Sequence, residues 1–540
     1  MTDSSTHPLR LSTQHSGTDW LLIAGLVLLV LPLRLWLLYN TEVTARDSIG
    51  YIRYALHFEE KSWTESVREN QQHPGYPLMV LAMSQPIRAL DGATTPENMV
   101  LATQLVSLLA SLVLIMPMYW LGRQAFDRPV SFWATLLYQY LPVSAQHLSD
   151  GVSEPTYLVF LVSGLLFLAR AVRAYRLTDC ALCGFFTGLA YLTRPEGLLI
   201  LPAFGATILA MQFRAPWRCS RLRFVACGAT VVLVACAVGS PYAWAVRGLT
   251  NKPAGRDLIR NATGHQASTA PGQHHLFAIT FPKSDSKVVN LARGVWALTM
   301  EVVQGFHYGA AIFLPLGLWW SRRSLVQNPA AWALGAYLAG HALILVGLAM
   351  TVGYISDRHV MILVLCGSFF VVAGMRELPR RFLAWRSRTQ LSTGPLVWWR
   401  SAPVWFAVLL AVLIGACLPR TTQRLHGNRA GNHHAGQWLR AHLEQGDVVY
   451  DDHCWSHFFA GLVFQEGKDV PIPRDAQPTC YVVSTRARDP KMDEARQAGN
   501  GIANARLVYA WPEGVAPAKA RVLVYARPRN QKDHAWRPVP

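Results

Sequence analysis

The chain has 540 residues, of which 51% are hydrophobic and only 15% are charged, and it contains 19 tryptophans. Soluble globular proteins carry about 25% charged residues, so this composition excludes an ordinary soluble fold as well as a disordered or collagen-like chain. Nine cysteines are too sparse for a disulfide-stabilised miniprotein. What remains is a protein with many membrane spans.

Eleven apolar runs approach the length of about 17 to 25 residues that a helix needs to cross a bilayer. They are 20–39, 98–121, 131–148, 154–169, 180–193, 197–213, 224–246, 304–320, 330–350, 356–375 and 403–419. The run 180–193 is short, which is compatible with a tilted, broken or half-inserted helix. The sequence therefore predicts an α-helical polytopic membrane protein with about 11 transmembrane helices.

The placement of charge predicts the orientation of these helices. With the N-terminus in the cytoplasm, the inner connections are 122–130, 170–179, 214–223, 321–329 and 376–402. They hold seventeen arginines against three acidic residues. Cytoplasmic loops of membrane proteins are enriched in Lys and Arg. The formal net charge of +18 is therefore explained by the arginines of the cytoplasmic loops, and no nucleic-acid partner is expected.

In this topology residues 1–19 form a cytoplasmic tail, and two long loops, 40–97 and 247–303, lie outside. Residues 420–540 also lie outside and contain no apolar run of membrane length, so they predict a small α/β extracytoplasmic domain. Its predicted helix is 436–445, and its predicted strands are 447–450, 480–484, 505–510 and 521–525. Cys454 and Cys480 are the only cysteines of this segment. The sequence allows either a disulfide between them or two free thiols.

Ionisable residues gather near the predicted outer ends of the spans. Such groups are costly at membrane depth, so they indicate a functional site or tight pairing. They are Arg34, Asp150, Glu154, Arg194, Glu196, Asp357 and Arg358, and the first outer loop adds Asp47, Tyr51 and His73. A site at the outer surface suits an enzyme that meets a lipid-borne substrate, whereas transporters more often place such groups near the bilayer midplane.

Two segments of the first outer loop have readable patterns. In 46–55, apolar and aromatic residues are spaced as on a helix that lies on the membrane with one face buried. Asp47 falls at the start of that helix, where the N-terminal amides favour an ionised carboxylate. In 73–77, two prolines bracket Gly-Tyr and predict a turn. The apolar run 78–83 that follows is too short to span and is expected to re-enter the interface.

In this order, "RDSIGYIRYA", "HPGYP", "SDGVSEPTY", "LTRPEGLLILP" and "YISDRHVMIL" resemble motifs of the bacterial glycosyltransferase C superfamily. The nearer groups are the protein O-mannosyltransferases related to glycosyltransferase family 39, the lipid A aminoarabinose transferases and the lipopolysaccharide galacturonosyltransferases. The resemblance implies a transmembrane catalytic domain over 20–419 in the inner (cytoplasmic) membrane. It also implies transfer of a monosaccharide from a polyprenyl-phosphate donor to an extracytoplasmic lipid, polysaccharide or protein.

The resemblance assigns roles to the charged residues. It implies that Asp47 is the general base, and that Glu154, or Asp150 just before it, is a second acid that orients the acceptor or a metal ion. Arg358 is expected to bind the donor phosphate, because a guanidinium meets two phosphate oxygens at once. Structural alternatives remain: the two acids cap helices, and Arg358 pairs with Asp357.

The remaining candidates have weaker assignments. Arg34 is grouped with the donor-phosphate site, where it snorkels outward or pairs with Asp47 or Glu154 and keeps that carboxylate ionised. His73 and Tyr51 are expected to contact substrate, although His73 is as well suited to ordering the loop.

Two further points stay outside the catalytic assignment. Many relatives have a second acid next to the first-loop Asp, whereas this chain has Ser48 there. A divalent metal ion is therefore left open as a cofactor, with no ligands assigned. Arg194 and Glu196 are interpreted as a satisfied pair in a helical break.

Three rival functions remain. A transporter or lipid flippase predicts midplane ionisable residues and a repeat, and the sequence shows neither. A ligase of preassembled glycans shares the lipid-linked chemistry and is not separated by sequence. A non-catalytic assembly subunit would use the outer domain for contacts.

Overall fold

The computed structural model describes residues 17–214, 220–253, 255–256, 278–280, 286–389, 401–451, 453–466, 478–486 and 505–529. The helices of these ranges are named in chain order. They are α1 (Gly17–Tyr39), α2 (Arg46–Glu60), α3 (Trp63–Glu69), α4 (Gly75–Asp91), α5 (Pro96–Gly122), α6 (Arg128–Tyr140), α7 (Pro142–His147), α8 (Glu154–Ala174), α9 (Leu177–Thr193), α10 (Ile200–Gln212), α11 (Arg221–Val246), α12 (Lys287–Gly305), α13 (Phe313–Val326), α14 (Pro329–Val352), α15 (Met361–Thr389), α16 (Ala402–Thr421), α17 (Ala430–His442) and α18 (Trp455–Phe459).

Within the described ranges, eight helical segments are long and apolar enough to cross a membrane. They are Gly17–Tyr39, Pro96–Gly122, Glu154–Ala174, Pro195–Gln212, Arg221–Val246, Pro329–Thr351, Asp357–Arg386 and Ala402–Thr421. The pair α12 and α13 makes a ninth if it counts as one span bent by 110°. The polytopic helical fold is therefore confirmed.

The count of eleven predicted spans is larger because three runs are not single long helices. The run 180–193 lies in α9, which has only 17 residues. The run 131–148 is divided into α6 and α7 at Leu141, which is extended at ψ 131°. The following Pro142 disfavours the helical conformation for the residue before it. The run 304–320 falls on the bend between α12 and α13.

The segment predicted as the first outer loop folds into helices α2, α3 and α4. In α2 the buried side chains include Tyr51, Ile52, Tyr54 and Ala55, so the predicted helix is confirmed, and it is buried by the protein itself. The prolines of 73–77 do not form a free turn before a short run. They lie at the start of α4, where a missing backbone N–H costs no helical hydrogen bond.

The C-terminal residues form a four-stranded sheet with the order β3-β4-β6-β5. The strands are β3 (Val448–Asp451), β4 (Thr479–Thr485), β5 (Arg506–Trp511) and β6 (Val522–Pro528). Strands β3 and β4 are parallel, and the other two pairings are antiparallel. All four predicted strands are present, and the predicted helix is α17, which begins six residues earlier than expected. A separate pair, β1 (Ala278–Thr280) and β2 (Tyr354–Ser356), is antiparallel.

The C-terminal domain packs directly on α2. Trp455 and Phe458 of α18 share a buried cluster with Tyr51 and Ile52, and the Trp455 indole donates to the Thr44 carbonyl at 2.9 Å. Elsewhere at this interface, Arg53 donates two hydrogen bonds to Glu466, at 2.6 and 2.9 Å. The helix that carries Asp47 is therefore held between the membrane helices and the C-terminal domain.

Cys454 and Cys480 are both buried and form no disulfide with each other. Of the two alternatives that the sequence allowed, a disulfide or two thiols, the structure contains two thiols.

Candidate active site

Three distant segments bring Asp47, Glu154 and Arg358 together. Asp47 lies in the first turn of α2 and Glu154 at the first residue of α8. Arg358 lies in the single helical turn that joins β2 to α15. The Arg358 guanidinium is ion-paired with the Asp47 carboxylate, and its Nη1 is 3.9 Å from Glu154 Oε1. The predicted acids and the predicted phosphate ligand thus form one cluster.

Arg194 and Glu196 extend this cluster. Arg194 donates to Glu154, and its Nε is 3.6 Å from Glu196 Oε2. Charges therefore alternate from Asp47 through Arg358, Glu154 and Arg194 to Glu196. The predicted pair of Arg194 and Glu196 is present at the helical break, but it is not self-contained, because Arg194 also donates to Glu154.

A local sequence signal explains the position of Arg194. Pro195 disfavours helix at the residue before it, so α9 ends at Thr193 and Arg194 is extended at φ −153° and ψ 141°. The guanidinium thereby leaves the axis of α9 and reaches α8. An Arg-Pro-Glu triplet between two apolar runs was the available signal.

The charged cluster lines a cleft between α8, α14 and the start of α15. Its polar lining includes His341 of α14 and His359, neither of which the sequence singled out. The lining residues are Glu154, Tyr157, Leu158, Arg194, Glu196, His341, Leu345, Arg358, His359, Met361 and Ile362. Charged groups on one side and aliphatic side chains on the other suit a polar ligand with some apolar surface.

Two ionisable groups outside the spans have perturbed pKa values here. The Arg358 guanidinium lowers the pKa of Asp47 and outweighs the opposing effect of burial, so the carboxylate is ionised at neutral pH. Burial, together with the nearby Arg194, lowers the pKa of Lys252 to about 8. In the described part of the chain, the Lys252 ammonium forms no ion pair, which leaves a cation near the cluster.

Asp150 does not join the charged cluster but supports the start of α2. Its Oδ1 accepts from the backbone N–H of Ala45 at 3.1 Å and of Gly151 at 2.8 Å. Its Oδ2 is 2.7 Å from His426 Nε2. Burial tends to raise the pKa of Asp150, but His426 and the backbone N–H groups of Gly151 and Ala45 together outweigh this effect, and the pKa is lowered. The carboxylate thus joins the turn before α8, the start of α2 and the C-terminal domain.

His73 and Tyr51 have protein partners. The Tyr191 carbonyl lies 2.6 Å from His73 Nδ1, which therefore carries the proton and donates. Nε2 then accepts from the Thr250 hydroxyl at 3.0 Å. Burial lowers the pKa of His73 to about 3, so the ring is neutral. The Tyr51 hydroxyl is 2.9 Å from Ser153 Oγ. Both side chains order the loop around the cluster.

Arg34 lies apart from the cluster and is fully buried. Its guanidinium donates to the Ala145 carbonyl at 2.9 Å, to Ser149 Oγ at 3.0 Å and to the Gln139 side chain. The expectation that Arg34 snorkels outward or pairs with Asp47 or Glu154 is wrong. It joins α1 to the broken α6–α7 segment, where Leu141 interrupts the helix and frees polar groups.

The arrangement does not fit a metal ion. In the described residues, no three His, Cys, Asp or Glu side chains come together as ligands. Asp47 and Glu154 each have one oxygen engaged by an arginine, so both carboxylates are paired with cations of the chain itself. No step of the reaction is assigned to a metal.

Comparisons with known proteins agree with this fold. The family model of dolichyl-phosphate-mannose-protein mannosyltransferases matches residues 94–242. A comparison with curated protein sequences gives no match. ArnT from Cupriavidus metallidurans in the apo state superposes with a TM-score of 0.56 and 15% identity, over 95% of this chain and 98% of that chain.

Two archaeal structures are more distant. The Archaeoglobus fulgidus oligosaccharyltransferase in the apo form has a TM-score of 0.48 and 12% identity, over 86% of this chain and 69% of that chain. The Archaeoglobus fulgidus AglB complex with an inhibitory peptide and a dolichol-phosphate has a TM-score of 0.47 and 13% identity, over 85% and 61%.

The ArnT likeness extends over nearly the whole of both chains and shows the fold. The matched segment 94–242 contains α8, α9 and the acidic start of α8 that faces Arg358. Fold and segment together agree with the resemblance seen in the sequence: the chain is a membrane protein with an ArnT-like fold, and its residues 94–242 are similar to the dolichyl-phosphate-mannose-protein mannosyltransferase family.

Proposed function

We propose that this protein transfers a monosaccharide from a polyprenyl-phosphate donor to an acceptor hydroxyl at the outer face of the inner membrane. The observation that carries the proposal is the Asp47–Arg358 ion pair at the edge of a charged cleft. A lipid-phosphate sugar needs one group to hold phosphate and another to accept a proton, and this pair supplies both. The description of the matched family, which names dolichyl-phosphate-mannose, supports a donor of this chemistry.

Donor binding would separate the ion pair. The donor phosphate is a diester and offers two non-bridging oxygens to the Arg358 guanidinium, which binds such groups through two parallel hydrogen bonds. Phosphate therefore competes with Asp47 for Arg358, while Glu154 at 3.9 Å keeps the guanidinium in place. Asp47 is then free to accept a proton.

The reaction follows as a single displacement. The acceptor oxygen forms a bond to the anomeric carbon as the bond from that carbon to the phosphate oxygen breaks. The bonding electron pair leaves with the phosphate, the acceptor proton passes to the Asp47 carboxylate, and the configuration inverts. General base catalysis of this kind contributes about 10²- to 10⁴-fold. Arg358 and Lys252 would stabilise the charge that grows on the leaving phosphate.

Glu154, Arg194, Asp150 and Arg34 have supporting roles in this proposal. Glu154 is held by Arg194 and positions Arg358. Asp150 holds the backbone that leads into α2, and Arg34 stabilises the helices beneath. The positive-inside distribution of the sequence supports an outward-facing site.

The test compares a host that lacks the gene with hosts that carry the wild-type gene or Asp47→Asn. Mass spectrometry of extracted polyprenyl-phosphate sugars and envelope glycans is the measurement. We expect the deletion to lose one monosaccharide and to accumulate one lipid-linked donor, and Asp47→Asn to behave like the deletion. Glu466→Gln, which breaks an ion pair outside the cleft, should restore the wild-type pattern.

Other outcomes identify the rivals. Loss of a whole oligosaccharide block would indicate a glycan ligase. Unchanged glycans with an altered distribution of a solute or lipid across the membrane would indicate a transporter or flippase. Full restoration by Asp47→Asn would remove Asp47 from the mechanism.

A further inference from the structure

A patch of arginines and aromatic side chains lies at the end of the helix bundle away from the cleft. It is formed by the C-terminal ends of α13 and α15 and is called the basic patch below. Its residues are Trp319, Trp320, Arg322, Arg323, Arg380, Arg381, Phe382, Trp385 and Arg386. All of them except Trp320 are exposed, and none has a role in the transfer reaction proposed above.

Close packing holds the two helix ends side by side. Gly317 of α13 lies so near the Phe370 carbonyl of α15 that a Cβ at this position would clash. About one turn further along α13, the guanidinium carbon of Arg381 is 5.0 Å from the centre of the Trp320 ring, which is within the range of a cation–π contact. The arginines of α13 and those of α15 therefore belong to one surface.

The length of the helix puts the basic patch at the level of lipid headgroups. The segment Asp357–Arg386 has 30 residues and is about 45 Å long at a rise of about 1.5 Å per residue. The hydrocarbon core of a bilayer is about 30 Å thick, which takes about 20 residues. A span that starts beside the cleft therefore leaves the hydrocarbon near Glu377, and the residues that follow lie among the headgroups of the opposite leaflet.

The basic patch has a large excess of positive charge. Residues 319–326 and 377–386 contain five arginines and one acidic residue, Glu377. The Glu377 carboxylate is 3.1 Å from Arg380 and 4.0 Å from Arg381, and it neutralises one of the five positive charges. A cluster of basic residues directly beyond a membrane helix is typical of sites that bind anionic lipids.

Aromatic rings distinguish a lipid from a soluble anion as the partner. Trp319, Phe382 and Trp385 are 62%, 54% and 63% exposed, and the guanidinium carbon of Arg322 lies 3.6 Å from the centre of the Trp319 ring. Tryptophan is enriched at the headgroup level of membranes, where one part of the ring is apolar and the other is wet. A soluble anion would leave these rings in water, whereas a phospholipid covers both the rings and the charges.

We propose that the basic patch binds the headgroup of an anionic phospholipid from the leaflet opposite the cleft. The arginines donate charge-assisted hydrogen bonds to the phosphate oxygens. The exposed rings of Trp319, Phe382 and Trp385 pack against the glycerol backbone and the first methylene groups of the acyl chains. The bound lipid thus joins the ends of α13 and α15 to the membrane, independently of the proposed sugar transfer.

The experiment is native mass spectrometry of the full chain purified in detergent. The protein is mixed with equal concentrations of phosphatidylglycerol and phosphatidylcholine that have the same acyl chains, and the bound lipids are counted. We expect wild type to retain phosphatidylglycerol in preference to phosphatidylcholine. Each arginine near an anionic lipid surface contributes about fivefold in affinity. The double variant Arg323→Gln/Arg381→Gln should therefore bind phosphatidylglycerol about 25-fold more weakly and phosphatidylcholine as wild type does.

A matched control removes the same charge at the other end of the molecule. Arg424 and Arg440 are exposed arginines of the C-terminal domain that pair with Glu42 and Glu97. The double variant Arg424→Gln/Arg440→Gln should retain phosphatidylglycerol as wild type does. Thermal unfolding without added lipid shows whether each variant is folded. If the double variant of the basic patch is unstable, the single variant Arg323→Gln tests the same prediction with a loss of about fivefold.

Four results would overturn the proposal. Equal retention of the two lipids by wild type would mean that the patch does not recognise the anionic headgroup. Unchanged retention of phosphatidylglycerol by the patch variant would place the lipid elsewhere on the protein. An equal loss in the control variant would show an effect of total charge alone. Displacement of the lipid by an equal concentration of glycerol 1-phosphate would indicate a site for soluble phosphate compounds instead of a lipid site.

Discussion

Asp47→Asn should separate catalysis from folding and from donor binding. The substitution keeps the shape of the side chain but removes its charge, so it cannot accept the acceptor proton at neutral pH. Since general base catalysis contributes about 10²- to 10⁴-fold, kcat should fall by that factor. At about 1.4 kcal/mol for each factor of ten, this loss is ~2.8 to 5.6 kcal/mol of transition-state stabilisation.

The effect on stability should be much smaller. The side chains of Arg358 and Asp47 are 29% and 35% exposed, and ion pairs with such access to solvent contribute about 1 kcal/mol or less. Arg358 also retains Glu154 at 3.9 Å. Because the variant removes the competitor for Arg358, its affinity for a polyprenyl phosphate should equal or exceed that of wild type.

The assay is transfer of labelled sugar in membrane vesicles, combined with lipid-phosphate binding and thermal unfolding of the purified chain. Glu466→Gln is the control, because it breaks another partly exposed ion pair, with Arg53, outside the cleft. Turnover of Asp47→Asn within tenfold of wild type would refute the assignment of the base. Loss of lipid-phosphate binding would refute the competition between Asp47 and phosphate.

Three further predictions concern the surroundings of the cluster. Arg34→Met should destabilise the fold by about 3 kcal/mol or more, because it leaves several buried acceptors unpaired. Thermal unfolding measures the loss of stability. An unchanged melting temperature together with weaker lipid-phosphate binding would contradict this structural role of Arg34. Gly75→Ala should lower the melting temperature, because the added Cβ would lie 2.8 Å from the Leu192 carbonyl oxygen. At Gly50 an added Cβ meets nothing within 4 Å, so Gly50→Ala should stabilise α2 by about 0.5–1 kcal/mol. Burial lowers the pKa of His426, but Asp150 outweighs the effect of burial, so the pKa is raised. The pair of His426 and Asp150 therefore stabilises the folded protein fully below pH ~6.5, and this contribution is lost as the pH rises through the raised pKa. The melting temperatures of wild type and His426→Gln should therefore converge at high pH, and a constant difference up to pH 9 would count against the pair.

Much of the fold was readable from the sequence because membrane helices and short strands leave strong local patterns. The apolar runs located the spans, and the four strands of the C-terminal sheet were found close to their observed limits. The division at Leu141 was missed, although Pro142 carried the signal. The bend of 110° between α12 and α13 depends on tertiary packing and has no comparable local pattern.

The site was readable in part for the same reason. Charge at the end of an apolar run is a local signal, and it pointed to Asp47, Glu154 and Arg358. Which charges face each other is decided by contacts between residues distant in the sequence, so the partners of Arg34, 111 and 115 residues away, were assigned wrongly. The contact of Arg194 with Glu154, 40 residues away, was missed for the same reason. His341 gave no signal, since a lone histidine in an apolar run is more often a packed side chain.

The packing of the C-terminal domain on α2 sets the order in which the protein is completed during synthesis. The apolar face of α2 is finished by Trp455 and Phe458, which the ribosome adds about 400 residues after α2 itself. At about 5–20 residues per second, this interval is ~20 to 80 s. During that time the helix that bears Asp47 has its membrane partners but lacks its outer cover. A chain that leaves the ribosome before Trp455 is added is therefore inserted in the membrane but lacks the residues that cover α2. Activity thus requires complete translation.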